Sequence, residues 1–110
     1  MKRTFSLGAI LSVTTRILAC PPGDLYAILK FMTNDQVFTH QLIRVADECK
    51  PYLLRQLPWL VSVDDEGVNP ENWQMWYAGL IAQHEEWHEV SQIPQDDHDR
   101  IDPMDEAERM

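Results

Sequence analysis

Long apolar runs are missing from this 110-residue chain. None reaches the ~18 residues that a membrane-spanning helix needs, which excludes a helical transmembrane protein. Cysteine is nearly missing as well. Two residues, Cys20 and Cys49, cannot staple a disulfide-rich secreted scaffold, and they read as reduced, buried thiols. Composition also excludes collagen-like, coiled-coil and low-complexity classes, and no internal repeat is present. What remains, with 45% hydrophobic and 25% charged residues, is one small domain without room for a second core.

Cations are scarce in the second half. Residues 1–60 carry seven Lys/Arg against four acids, a net of +3, whereas residues 61–110 carry Arg100 and Arg109 against fourteen acids, a net of −12. The sum is −9. Such a molecule can fold its acidic half against its own basic half or present it to a basic partner, and free duplex DNA is repelled by the acidic half. The plainer alternative is an acidic, solvated segment that only aids solubility.

The periodicity is mostly helical, with Ile17–Cys20 read as a short strand or an extended connector. Ser6 is an N-cap candidate, followed by Leu7, Ile10 and Leu11 at helical spacing. The β-branched run Val13-Thr14-Thr15 should weaken or end that helix. After the break at Pro21-Pro22-Gly23, Asp24 caps a second helix with Leu25, Ile28, Leu29 and Met32 on one face, ending near Thr33-Asn34-Asp35. Phe38, Leu42, Val45 and Cys49 mark a third helix, which Pro51 should kink or restart. Asn69-Pro70-Glu71 is a strong start for a fourth. From there Trp73, Trp76, Tyr77, Leu80, Ile81, His84, Trp87 and His88 fall on one face about 120° wide, the width of a core-facing stripe. After Ile93-Pro94 the pattern stops. Residues 95–110 hold seven acids and no aromatics, the composition of a disordered or partner-ordered tail. The expectation is an all-α chain: a compact bundle of four or five helices over 1–94 and an acidic, disordered tail over 95–110.

Three motifs invite a functional reading. His84-Glu85-Glu86-Trp87-His88 matches H-E-x-x-H, which on a helix places two histidines for one zinc and a glutamate as general base. The extended pattern is absent, because Ser91 and Pro94 stand where glycine and a third histidine would be. His98 or Asp102 would have to reach back as a third ligand. His84 reads instead as a packing residue, so no catalytic residue, metal or cofactor is assigned. The second motif runs from Met1-Lys2-Arg3 through an apolar stretch to Ile17-Leu18-Ala19-Cys20 and imitates a lipoprotein signal. Arg16 interrupts it where the apolar core should continue, and an ordinary first helix of a cytoplasmic protein fits better. The third is a helix-turn-helix across 24–50, with Thr39, His40, Gln41 and Arg44 as the face for base and phosphate contacts. Its weak positive charge favours a helical hairpin that only packs.

The segments Phe5–Thr15, Gly23–Thr33, Phe38–Arg44 and Cys49–Gln56 together resemble a family of small phage and prophage proteins of unassigned function, over about residues 4–60. The resemblance transfers no catalytic residue. It implies a phage protein made in the host cytoplasm, a class rich in inhibitors of host defence. The leading expectation is therefore a non-enzymatic interaction protein that inhibits a host nucleic-acid-handling complex of the CRISPR or restriction type. Its partner would be a protein or ribonucleoprotein with a basic surface, with no nucleic acid bound directly and no membrane. Closely spaced carboxylates can occupy a Lys/Arg-lined channel in place of phosphates. Glu85, Glu86, Glu89, Asp96, Asp97, Asp99 and Asp102 are the candidate contacts, with Trp76 or Trp87 as an anchor. The alternatives are a DNA-binding regulator using 24–50 and, further off, a zinc protein using His84 and His88.

Overall fold

The computed structural model describes residues 2–94, 96, 98, 101 and 103–109. Ser6 opens the first helix as its sequence predicts: its hydroxyl accepts from the Ala9 N–H at 3.2 Å, and α1 runs Leu7–Thr15. Every residue from Leu7 to Thr14 is buried. A helix buried on every side, with the Ser12 and Thr15 hydroxyls turned back onto the Gly8 and Leu11 carbonyls, has to be surrounded. Helices α2 (Pro22–Thr33) and α3 (Leu42–Gln56) accordingly pack against α1. The Thr15 hydroxyl donates to the Leu11 carbonyl (2.7 Å), and Arg16 turns the chain away with φ 67°.

Helix α2 begins at Pro22, which places Asp24 in the first turn rather than at the cap. Its end matches the expectation, with Asn34 left-handed at φ 51°. A 3₁₀ turn, Thr39–Gln41, then leads into α3. Pro51 does not restart α3, which is one element from Leu42 to Gln56. Proline deletes a single backbone bond, while Val45, Cys49 and Leu53 fix the helix in the core on both sides of it. The core is completed by Ile10, Leu11, Ile28, Leu29 and Met32, all at 0% exposure.

The all-α expectation needs correction. Among the described residues there are five α-helices and two strands, β1 (Lys2–Ser6) and β2 (Trp87–Ser91). The strands pair antiparallel, with Arg3 opposite Val90 and Phe5 opposite His88. Helix α4 is shorter than its apolar stripe suggested, covering Trp73–His84. It starts late because Asn69 Oδ1 accepts from the N–H groups of Glu71 (2.9 Å) and Asn72 (3.0 Å), closing an Asx turn first. None of its residues is buried. Trp76, Tyr77, Leu80 and Ile81 lie half-buried against the core, and Trp87 is not part of the helix.

The expected disordered tail is also not what the described residues show. Pro103–Arg109 forms a short helix, α5, and His98 is buried. No helix among the described residues is long and apolar enough to cross a membrane.

Candidate functional site

The H-E-x-x-H reading depends on one continuous helix, and the helix stops inside the motif. His84 is the last residue of α4 and His88 the second of β2; between them Glu85 takes φ 71°, ψ 165°. The break is imposed from a distance. The Leu7 N–H donates to the Glu86 carbonyl at 2.6 Å, continuing the β1–β2 ladder, and Phe5 and Val90 bury side chains in the core. Cross-strand bonds and apolar burial outweigh the one further helical turn that the pattern allowed. The two histidines therefore do not share a helical face.

Both rings rest on Trp59 instead. His84 stacks parallel to the indole, with centroids 3.7 Å apart and planes within 5°, and His88 tilts against it at 5.6 Å. The His88 Nε2–H donates to the Glu85 carbonyl at 3.0 Å. This ring cluster clamps the reversal from α4 into β2. Among the described residues, no group of three or more His, Cys, Asp or Glu side chains is placed to hold a metal ion.

The clamped reversal displays an acidic surface around one aromatic. Trp87 is 60% exposed, and Glu85, Glu86 and Glu89 are exposed beside it. Strand alternation puts Trp87 and Glu89 on one face of β2, opposite Ser6 and Thr4 of β1, while Val90 turns inward. Trp76 does not join this surface as a free anchor. It is half-buried, and its indole N–H donates to the Asp64 carbonyl at 2.9 Å. Asp96 is exposed, while Asp97, Asp99 and Asp102 lie outside the described residues.

A second constellation, which the sequence reading did not assemble, joins the C-terminal segment to α2 and α3. The His98 side chain is 1% exposed and has a carboxylate at each nitrogen: Glu48 Oε1 lies 2.5 Å from Nδ1, and Asp35 Oδ2 lies 2.9 Å from Nε2. Glu48 also accepts from Arg44 Nη1 (2.8 Å). Arg44 in turn holds Glu106 of α5, with Nε 3.1 and 3.0 Å from its two oxygens. Arg44, followed by Gln41, hydrogen-bonds the Glu106 carboxylate and holds it below the usual carboxylate range. The charge imbalance between the halves was the only signal in the sequence for this contact. From the sequence, His98 reads only as a third metal ligand.

The same contacts occupy the proposed helix-turn-helix face. The His40 Nε2–H donates to the Pro103 carbonyl (2.8 Å), and the Gln41 amide donates to the Ile101 carbonyl (3.3 Å) and to Glu106 (3.2 Å). Thr39 is hydrogen-bonded to the Tyr26 hydroxyl at 3.0 Å. Three of the four residues offered for base and phosphate contacts are thus engaged by the chain's own C-terminal segment.

A family model described as a domain of unknown function (DUF7736) matches residues 5–63. That stretch takes in α1, α2 and α3, and stops before α4, β2 and α5. No curated protein and no solved structure matches the chain.

Proposed function

The chain belongs to the DUF7736 family, which has no assigned function, and from that premise we propose that it is a small interaction protein of the phage type. In this reading it is not an enzyme. It inhibits a host nucleic-acid-handling defence complex by laying an acidic surface on that complex's basic channel. The observation that carries the reading is Trp87, 60% exposed on a clamped strand with Glu85, Glu86 and Glu89 around it. An exposed tryptophan on a rigid support is the usual anchor of a protein interface, and flanking carboxylates steer it toward Lys and Arg. The geometry lends less to DNA binding through 24–50, because His40, Gln41 and Arg44 already have partners.

The test is capture of purified CRISPR effector and restriction complexes by the tagged full chain, at low salt and at about 0.5 M salt. Trp87→Ala and the triple variant Glu85→Gln, Glu86→Gln, Glu89→Gln are run in parallel. The expected result is a complex that nucleic acid displaces, that weakens steeply with salt, and that both variants lose. A complex that forms equally well with both variants, or ignores salt, refutes acidic mimicry at this surface.

A further inference from the structure

Three hydroxyls on α1 and α2 are turned back onto their own helix. Ser12 donates to the Gly8 carbonyl at 2.7 Å, Thr15 to the Leu11 carbonyl at 2.7 Å, and Thr33 to the Leu29 carbonyl at 2.8 Å. Thr14 differs. It lies on α1 between Ser12 and Thr15 and is 7% exposed, yet its buried Oγ1 has no hydrogen-bond partner among the described residues. A buried hydroxyl without a partner costs stability, so its surroundings call for an explanation.

Thr14 lines a cleft of about 240 Å³ where the end of α1 meets α3 and a second 3₁₀ turn, Pro58–Ser62. That is smaller than the ~300–1,000 Å³ of sites for drug-sized ligands and far larger than the ~30 Å³ share of one water. Leu54, Leu60 and Val63 give it an aliphatic wall. Lys50 of α3 and Asp65, just beyond the 3₁₀ turn, also line it. Both are exposed, and neither enters an ion pair among the described residues. One cleft thus gathers a cation, an anion, an unsatisfied hydroxyl and an apolar wall from three separate segments of the chain.

We propose that this cleft binds a small aliphatic α-amino acid as its zwitterion. The ligand's carboxylate accepts from the Lys50 ammonium and the Thr14 hydroxyl, its own ammonium faces Asp65, and its side chain lies on Leu54, Leu60 and Val63. Threonine in a helix takes two χ1 rotamers, so a turn about χ1 offers Oγ1 to the ligand without moving α1. A simple anion would be opposed by Asp65 and a simple cation by Lys50, whereas a zwitterion satisfies both. The cleft shares no residue with the Trp87 surface, so it stands apart from the interaction reading above.

Nitrogen–proton correlation spectra of the full chain, titrated with L-leucine into the millimolar range, test it. Saturable shifts are expected at the amides of Thr14, Thr15, Lys50, Val61 and Val63. Two leucine analogues give a readout independent of any variant. 4-Methylpentanoate lacks the ammonium and 3-methylbutylamine lacks the carboxylate, and each should bind about threefold or more weakly than leucine. Thr14→Val, which removes no hydrogen bond of the fold, should weaken leucine about fivefold, the size of one hydrogen bond. Thr14→Ser, which keeps the hydroxyl, should bind as the wild type does. Lys50→Gln and Asp65→Asn should each weaken leucine about threefold. The site is overturned if leucine gives no saturable shift, so that the cleft takes up water only, or if the shifts fall elsewhere in the chain. It is equally overturned if either analogue binds as tightly as leucine, or if Thr14→Val or Lys50→Gln leaves leucine binding unchanged.

Discussion

Replacing Gly8 by alanine sets two effects of opposite sign against each other. On helix propensity alone, Gly→Ala in α1 should stabilise by about 1 kcal/mol. The packing says otherwise. A Cβ at position 8 would lie 2.2 Å from the Ala19 carbonyl oxygen, 3.1 Å from its carbon and 3.2 Å from the Tyr77 hydroxyl. Carbon–oxygen contacts settle at about 3.3 Å or more, so the neighbouring chain would have to retreat by about 1 Å. It has little freedom to do so. The Ala19 N–H donates to Ser12 Oγ at 3.0 Å, Ser12 donates to the Gly8 carbonyl at 2.7 Å, and Ala19 is 4% exposed. The Gly8 N–H also donates to the Tyr77 hydroxyl at 3.1 Å, tying α1 to α4.

Overpacking a tight core costs about 1–3 kcal/mol, and disturbing a hydrogen bond of this kind adds about 1 kcal/mol. After the propensity gain, the net is a loss of about 2 kcal/mol, or about 10 °C in Tm for a domain of this size. Gly79→Ala is the control, because an added Cβ in α4 meets nothing within 4 Å. It should raise stability by about 0.5–1 kcal/mol. Urea titrations followed by circular dichroism, fitted for midpoint and slope, compare the two. If Gly8→Ala is as stable as the wild type or more so, the close approach of α1 to the Ala19 carbonyl is wrong.

Three further outcomes follow from single side chains. Thr14 Oγ1 is the one buried side-chain polar atom without a hydrogen-bond partner among the described residues, so Thr14→Val should leave stability unchanged or raise it by about 1 kcal/mol in the same titration. Burial pushes the Cys49 thiol up to about 12, while the half-buried Cys20 is raised by burial to a lesser extent; a thiol reagent should label Cys20 in the native protein and Cys49 only with global unfolding. Because Glu106 is held below the usual carboxylate range by Arg44, its contribution is present at neutral pH and is lost as pH falls through its lowered value. Exchange protection of α5 should therefore drop in acid in the wild type, and a Glu106→Gln variant that shows the same acid response would refute that assignment.

The first three helices were legible because their signals are local. The Ser6 cap, the helix end near Asn34 and the spacing of Leu42, Val45 and Cys49 are each decided within a turn or two of chain, whereas Phe38, read into the third helix, precedes it and is 48% exposed. The starts of α2 and α4 shifted by two or three residues because a proline in the first turn and an Asx turn compete with the side chains expected to cap. The misreading at 84–88 has a different origin. Apolar residues at helical spacing continue through Trp87 and His88, and nothing nearby reveals that a strand at the other end of the chain will claim them. For the candidate surface, the sequence pointed to Glu85, Glu86, Glu89 and Trp87, and the structure leaves all four exposed. It also offered Trp76, whose N–H is instead bound to the Asp64 carbonyl.

By itself the sequence determined that the first half folds as helices with apolar faces, since the caps and the helical spacing there are local signals. It also determined that the two halves carry opposite charge. Tertiary structure alone decided how those facts are used. The pairing of β1 with β2 ends α4 at His84 and turns Trp87 outward, because backbone bonds between strands depend on a partner far away in the chain. Folding likewise sets Asp35, Glu48 and His98 together, and Arg44 against Glu106. Opposite charges attract across a fold without leaving any period in the sequence, so only the packed chain specifies which of them meet.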